Sequence, residues 1–146
     1  MSIEQQMHII GIVMGWIIAA GYLWSALNFV VKRIYRNRIA GLPAESTRRK
    51  RFTSFMRSVV GSHTFVPLFL LTIMLLHLLM ELIHVGFFIT GVIAIGLMTL
   101  QIGLGIFGAT VKKKRMGTWL KIHRFVAALL LVSISVHVVT VVLIKP

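Results

Sequence analysis

The sequence predicts an all-α integral membrane protein: one domain, a four-helix bundle arranged up and down, with both termini outside. Three observations lead there. Apolar residues make up 58% of the 146-residue chain. They gather in four blocks, roughly 8–31, 60–83, 86–110 and 119–144. Each is long enough to cross a hydrocarbon core of about 30 Å, which takes about 20 residues. The basic residues behind the net charge of +13 lie between the blocks, on alternate connections. The four blocks use most of the chain and leave no room for a separate soluble domain.

The first span, 8–31, carries Gly11 and Gly15 as a G-x-x-x-G pair, which suits close helix packing. Its Trp16 and Trp24 fit packing or interface anchoring. The first residues hold Glu4 and no Lys or Arg, and the apolar run exceeds a signal core, so no removable signal peptide is expected. The connection 32–59 is basic, with Lys32, Arg33, Arg36, Arg38, Arg48, Arg49, Lys50, Arg51 and Arg57. Gly41 and Pro43 mark a break within it, and Glu45-Ser46-Thr47 can start a helix. From Thr47 onward, Phe52, Phe55, Met56 and Val59 recur at helical spacing. Two readings stand side by side: an amphipathic surface helix with arginines toward anionic headgroups, or a solvated loop.

The second span, 60–83, meets the third, 86–110, through a tight external turn around Glu81–Gly86. The next connection is again basic, with Lys112, Lys113, Lys114 and Arg115, then Lys121 and Arg124; Trp119 marks the entry to the last span, 119–144. Only Lys145 lies at the opposite face. Excess Lys and Arg favour the cytoplasmic side. Both basic connections are therefore placed inside and both termini on the periplasmic side of a prokaryotic cytoplasmic membrane. Topology accounts for the charge, and nucleic acid is not an expected partner; membrane lipid is.

With no cysteine in the chain, disulfides, thiolate zinc sites, iron–sulfur clusters and covalent haem attachment are excluded. Histidine carries the remaining chemistry. His63 and His77 are fourteen residues apart in one apolar block, and His123 and His137 are fourteen apart in another. Along one helix that separation returns to within roughly 40° of the same face and climbs about 21 Å. The second and last spans run in the same direction, so His63 and His123 form an inner layer and His77 and His137 an outer one. Zinc normally takes three or four protein ligands. Each layer has two histidines, with Glu81 available only to an outer His77–Glu81–His137 set. Two ligands suit six-coordinate haem iron, whose porphyrin supplies the other four. Two noncovalent b-type haems are the expected cofactors, their iron held by His63, His77, His123 and His137.

Gly91 and Gly105 in the third span are also fourteen apart, one per layer, and would let a porphyrin approach the backbone. Gly96, Gly103 and Gly108 are equally available for helix packing. Arg57, Lys121 and Arg124 read first as flanking positive-inside charge, and are also candidate propionate partners. Glu81 and His84 share a stripe with His77. They read as a proton relay or quinone contact, or as an interfacial acid and histidine. His8 lies at the same outer end.

Two same-direction helices with this histidine spacing resemble the haem core of membrane b-type cytochromes. "HTFVPLFLLTIMLLH" resembles a haem helix of the cytochrome b in quinol–cytochrome c oxidoreductases. "WLKIHRFVAALLLVSISVH" is similar to the last haem helix of ferric-reductase-like and ascorbate-reducible membrane cytochromes. The resemblance implies that His63 pairs with His123 and His77 with His137. It implies transmembrane electron transfer by the membrane subunit of a larger oxidoreductase, with quinone or redox subunits as partners. A stand-alone ferric or quinone reductase and a haem-free anchor or metal-binding membrane protein are the alternatives. The chain lacks the extra helices and nicotinamide or flavin domains of the larger families.

Overall fold

The computed structural model describes residues 3–84, 86, 88–111 and 117–144. Among them there are five α-helices and no strand. They are α1 (Ile3–Ile34), α2 (Thr47–Ser62), α3 (Phe65–His84), α4 (Ile89–Thr110) and α5 (Thr118–Ile144), with a π-helical turn, Tyr35–Ile39, after α1. Four of these, α1 continued through the π turn and α3 to α5, are long and apolar enough to cross a membrane. Their surfaces agree, with Trp16 60%, Phe69 64% and Val132 60% exposed. Such broad apolar exposure is what a lipid solvent permits and water does not. Lys112, Lys113, Lys114, Arg115 and Lys145 lie outside the described residues.

The expected boundaries shift in two places. The connection 32–59, of which the loop reading would make a solvated tether, is mostly helical. The first helix continues past residue 31 and widens into the π turn, where the Ala40 amide donates to the Tyr35 carbonyl at 2.8 Å. Helix α2 then starts at Thr47, as the amphipathic reading expects, with Ser46 at its N-cap. Phe52, Met56 and Val59 lie on its more buried side, and Val59 is fully buried.

The second shift concerns 60–83, which is not one helix. Helix α2 ends at Ser62, His63 is its C-cap, and α3 begins at Phe65. Pro67 supplies the reason: it has no N–H for the His63 carbonyl, and its ring crowds that oxygen. The single-helix register assumed for His63 and His77 is therefore corrected. That for His123 and His137 holds, since both lie inside α5.

The contacts gather into two compact units. One comprises Ala20–Leu70; the other takes residues up to Ala19 and from Leu71 onward, so α1 and α3 contribute to both. In the Ala20–Leu70 unit the buried residues are Tyr22, Ser25, Val31, Ile39, Val59 and Leu70. A Cβ at Gly21 would meet the Leu70 side chain at 2.7 Å, so the helices touch there at the glycine. Trp24 donates its indole N–H to Ser62 Oγ at 2.8 Å and meets the Phe55 ring edge-on, tying α1 to α2.

In the larger unit α4 and α5 pack most closely. Gly91 faces His137, Gly105 faces His123 and Gly108 lies under the Trp119 ring, so the partners descend one helix as they ascend the other. This antiparallel pair buries Ala94, Met98, Val126 and Leu130. Without a hydrophobic drive between helices in lipid, such contact rests on small residues that let backbones approach. Gly96 and Gly103 have no atom within 4 Å of an added Cβ and take no part in it. At the end of α3, Gly86 adopts φ +112° and donates to the Glu81 carbonyl at 2.8 Å, closing the helix.

Candidate metal centre

The geometry is best defined around His77 and His137. His77 projects from α3 on the stripe that holds buried Met74 and half-buried Glu81. His137 projects from α5, two turns beyond buried Leu130. The two imidazole centres are 6.4 Å apart with their planes at 77°. An iron between two imidazoles needs two metal–nitrogen bonds of about 2 Å plus the two ring radii, hence roughly 6 Å between centres. The observed separation satisfies that requirement.

Glycines keep side chains away from both rings. An added Cβ on Gly15 would lie 4.0 Å from His77 Cε1, and one on Gly91 would lie 3.2 Å from His137 Cε1. The sequence singled out Gly91 for this purpose; Gly15 it read as packing. The polar partners differ between the two rings. Thr90 Oγ1 and His137 Nδ1 are hydrogen bonded at 2.9 Å, whereas His77 Nδ1 is buried with no hydrogen-bond partner. Thr90 escaped the sequence reading, although it adjoins Gly91 on the α4 face turned toward α5.

His123 stands about four turns before His137 on α5, where a Cβ added at Gly105 would lie 3.8 Å from its Cε1 and the Trp119 ring centre lies 6.1 Å from its own. Gln101 places its amide nitrogen 3.2 Å from His123 Nε2. That amide occupies the approach to Nε2, so a metal there requires Gln101 to turn aside. Gln101 is eleven residues beyond Thr90, within about 20° of the same face. A polar amide in an apolar span was the signal that could have found it.

His63 belongs to the Ala20–Leu70 unit. Its Nδ1 donates to the Ser25 carbonyl at 3.1 Å. A carbonyl only accepts, so the neutral ring carries its lone pair on Nε2, the tautomer a metal ligand needs. Burial holds its pKa below the ordinary histidine value; the Ser25 bond opposes this and the Lys32 charge reinforces it.

The remaining candidates divide. Glu81 is half-buried and rests against the backbone of α1 at Gly11, while His84 and His8 are exposed. Arg57, Lys121 and Arg124 are exposed on α2 and α5. No group of three histidines or acids close enough to hold a metal ion occurs among the described residues, including His77, Glu81 and His137. No protein-family model, curated protein or solved structure matches the chain.

Proposed function

We propose that this chain is a membrane b-type cytochrome that carries electrons between the two faces of the membrane. The observation that carries the reading is the meeting of His77 and His137 at 6.4 Å, from two different helices, beside Gly15 and Gly91. Haem would supply a one-electron centre there, and His77 and His137 would be the residues that hold its iron, which favours electron transfer over oxygen or substrate binding. The chain's own residues would hold the ligands: Thr90 anchors His137 through Nδ1 and Gly91 clears its face.

The inner pair, His63 with His123, follows from the sequence topology and the resemblance to membrane cytochromes. So do the up-and-down bundle, the cytoplasmic placement of the basic connections and the role as membrane subunit of a larger oxidoreductase. Quinone or a redox protein would be the exchange partner, with Glu81 the acid nearest the outer layer. A reduced-minus-oxidised absorption spectrum of the purified chain tests the reading, with a b-type band expected. A pyridine haemochrome assay should give two haems per chain; absence of any band on dithionite addition would overturn it.

A further inference from the structure

A second site lies wholly within the Ala20–Leu70 unit and does not depend on haem. The first turns of α2 and the π turn enclose an open cleft of about 370 Å³. That volume falls within the usual range for small-molecule sites, about 300–1,000 Å³. Its lining is unusual in composition. Arg49, Lys50 and Arg57 supply three cations, Tyr35, Thr53 and Ser54 supply three hydroxyls, and no acidic side chain lines it. Positions 49, 53 and 57 recur every four residues, so they form one stripe of α2, distinct from the Phe52–Phe55–Val59 side.

One of the cations is held in place. Arg49 is half-buried and donates from Nη1 to the Leu42 carbonyl at 2.7 Å. A guanidinium has five N–H donors, so this bond fixes the fork while leaving donors for an anion. Lys50 is engaged by Glu45 at 2.8 Å, an exposed pair that solvent screens. Fixed guanidinium, further cations and hydroxyl donors around a cleft are the chemistry that recognises a phosphate, whose oxygens accept several charge-assisted hydrogen bonds at once.

We propose that this cleft is a phosphate-binding site. Its position, immediately after the first spanning helix and beside an amphipathic helix, suits the phosphodiester of an anionic phospholipid headgroup. The same donors would take a soluble phosphate monoester.

The test uses the full chain in nanodiscs of phosphatidylcholine with added phosphatidylglycerol, counting retained phosphatidylglycerol by native mass spectrometry. Arg49→Gln/Arg57→Gln is compared with Arg48→Gln/Arg51→Gln, which removes equal charge from the same helix outside the cleft. The cleft variant should retain phosphatidylglycerol about tenfold less well than the control, because it loses directed bonds as well as charge. Arg57→Gln alone, which spares the Leu42 bond, should show an intermediate loss with unchanged helix content. In a lipid-free detergent arm, glycerol phosphate binding lost only in the cleft variant, with phosphatidylglycerol retention equal in both, would assign the site to a soluble phosphate. Equal losses in both double variants in both arms, or none in either, would overturn the proposal. The Arg48→Gln/Arg51→Gln control should leave haem content unchanged.

Discussion

Adding one methyl group at Gly91 separates a ligand cradle from ordinary helix packing. A Cβ there would lie 3.2 Å from His137 Cε1 and 3.6 Å from Nδ1. Carbon atoms rest at about 3.5–4.0 Å, so Gly91→Ala must displace the imidazole by about 0.4 Å. Thr90 holds Nδ1 at 2.9 Å, so the ring cannot turn without lengthening that bond or leaving its rotamer. An off-rotamer side chain costs about 0.5–1.5 kcal/mol. At about 1.4 kcal/mol per factor of ten, outer-haem affinity should fall by about two- to tenfold. The same methyl at Gly105 would make an ordinary contact, 3.8 Å from His123 Cε1, and at Gly96 it would meet nothing within 4 Å. Gly105→Ala and Gly96→Ala should therefore bind haem as the parent does. Each should gain about 0.5–1 kcal/mol of helix stability over glycine. The assay is haem titration of the apoprotein in detergent, followed at the Soret band, beside thermal unfolding. If Gly91→Ala binds as well as Gly96→Ala, Gly91 is not a ligand cradle and the fit of the His77–His137 site is wrong.

Thr90→Val keeps the shape of the side chain but removes the partner of His137 Nδ1, so outer-haem affinity should drop by about 10–100-fold, and Thr90→Ser should restore most of it. Gln101→Leu frees the approach to His123 Nε2; inner-haem loading should be kept or rise, whereas a purely structural His123 would give lower thermal stability and no change in haem. If iron is held between the imidazoles at their 77° interplanar angle, its two dπ orbitals would be almost degenerate, and the low-spin electron paramagnetic resonance signal should be strongly anisotropic; a rhombic signal would show parallel rings. Gly108→Leu would drive a side chain into the Trp119 ring and should cost about 1–3 kcal/mol as overpacking, read as a lowered unfolding temperature in detergent.

The spans were legible because hydropathy and charge alternate at the scale of a bilayer, a signal that needs no tertiary information. The α2 start at Thr47 was legible for a local reason, a serine before an amphipathic run. What misled was Pro67. Counted as one more residue in an apolar block, it left His63 and His77 on an apparently continuous helix; its missing N–H puts His63 at a helix cap instead. The histidines themselves stood out as polar groups in apolar segments, whereas their supports did not. Thr90 is unremarkable in a membrane span, and five glycines compete along α4. Only the register of α4 against α5 distinguishes Gly91 and Gly105 from Gly96 and Gly103, and that register is a property of packing.

The asymmetry between the two outer histidines bears on what they are for. A histidine kept in a membrane as a structural bridge would satisfy its ring nitrogens with neighbouring donors or acceptors, since a buried polar group left alone costs about 1–3 kcal/mol. His137 meets that description at Nδ1, through Thr90. His77 does not: its Nδ1 is buried without a hydrogen-bond partner, although Glu81 lies one turn further along the same helix. That carboxylate instead rests against Gly11 on α1. Helix packing gains nothing from such an arrangement, and an apolar residue at position 77 would fill the same space without the cost. A residue of this kind persists when its ring serves a bound group. On the proposed reading, a group held by both rings would lie in the 6.4 Å between their centres. On this argument His77→Leu should stabilise the apoprotein while abolishing outer-haem binding, opposite signs that helix packing alone does not produce. A parallel loss of thermal stability and haem in His77→Leu would instead make His77 a packing residue.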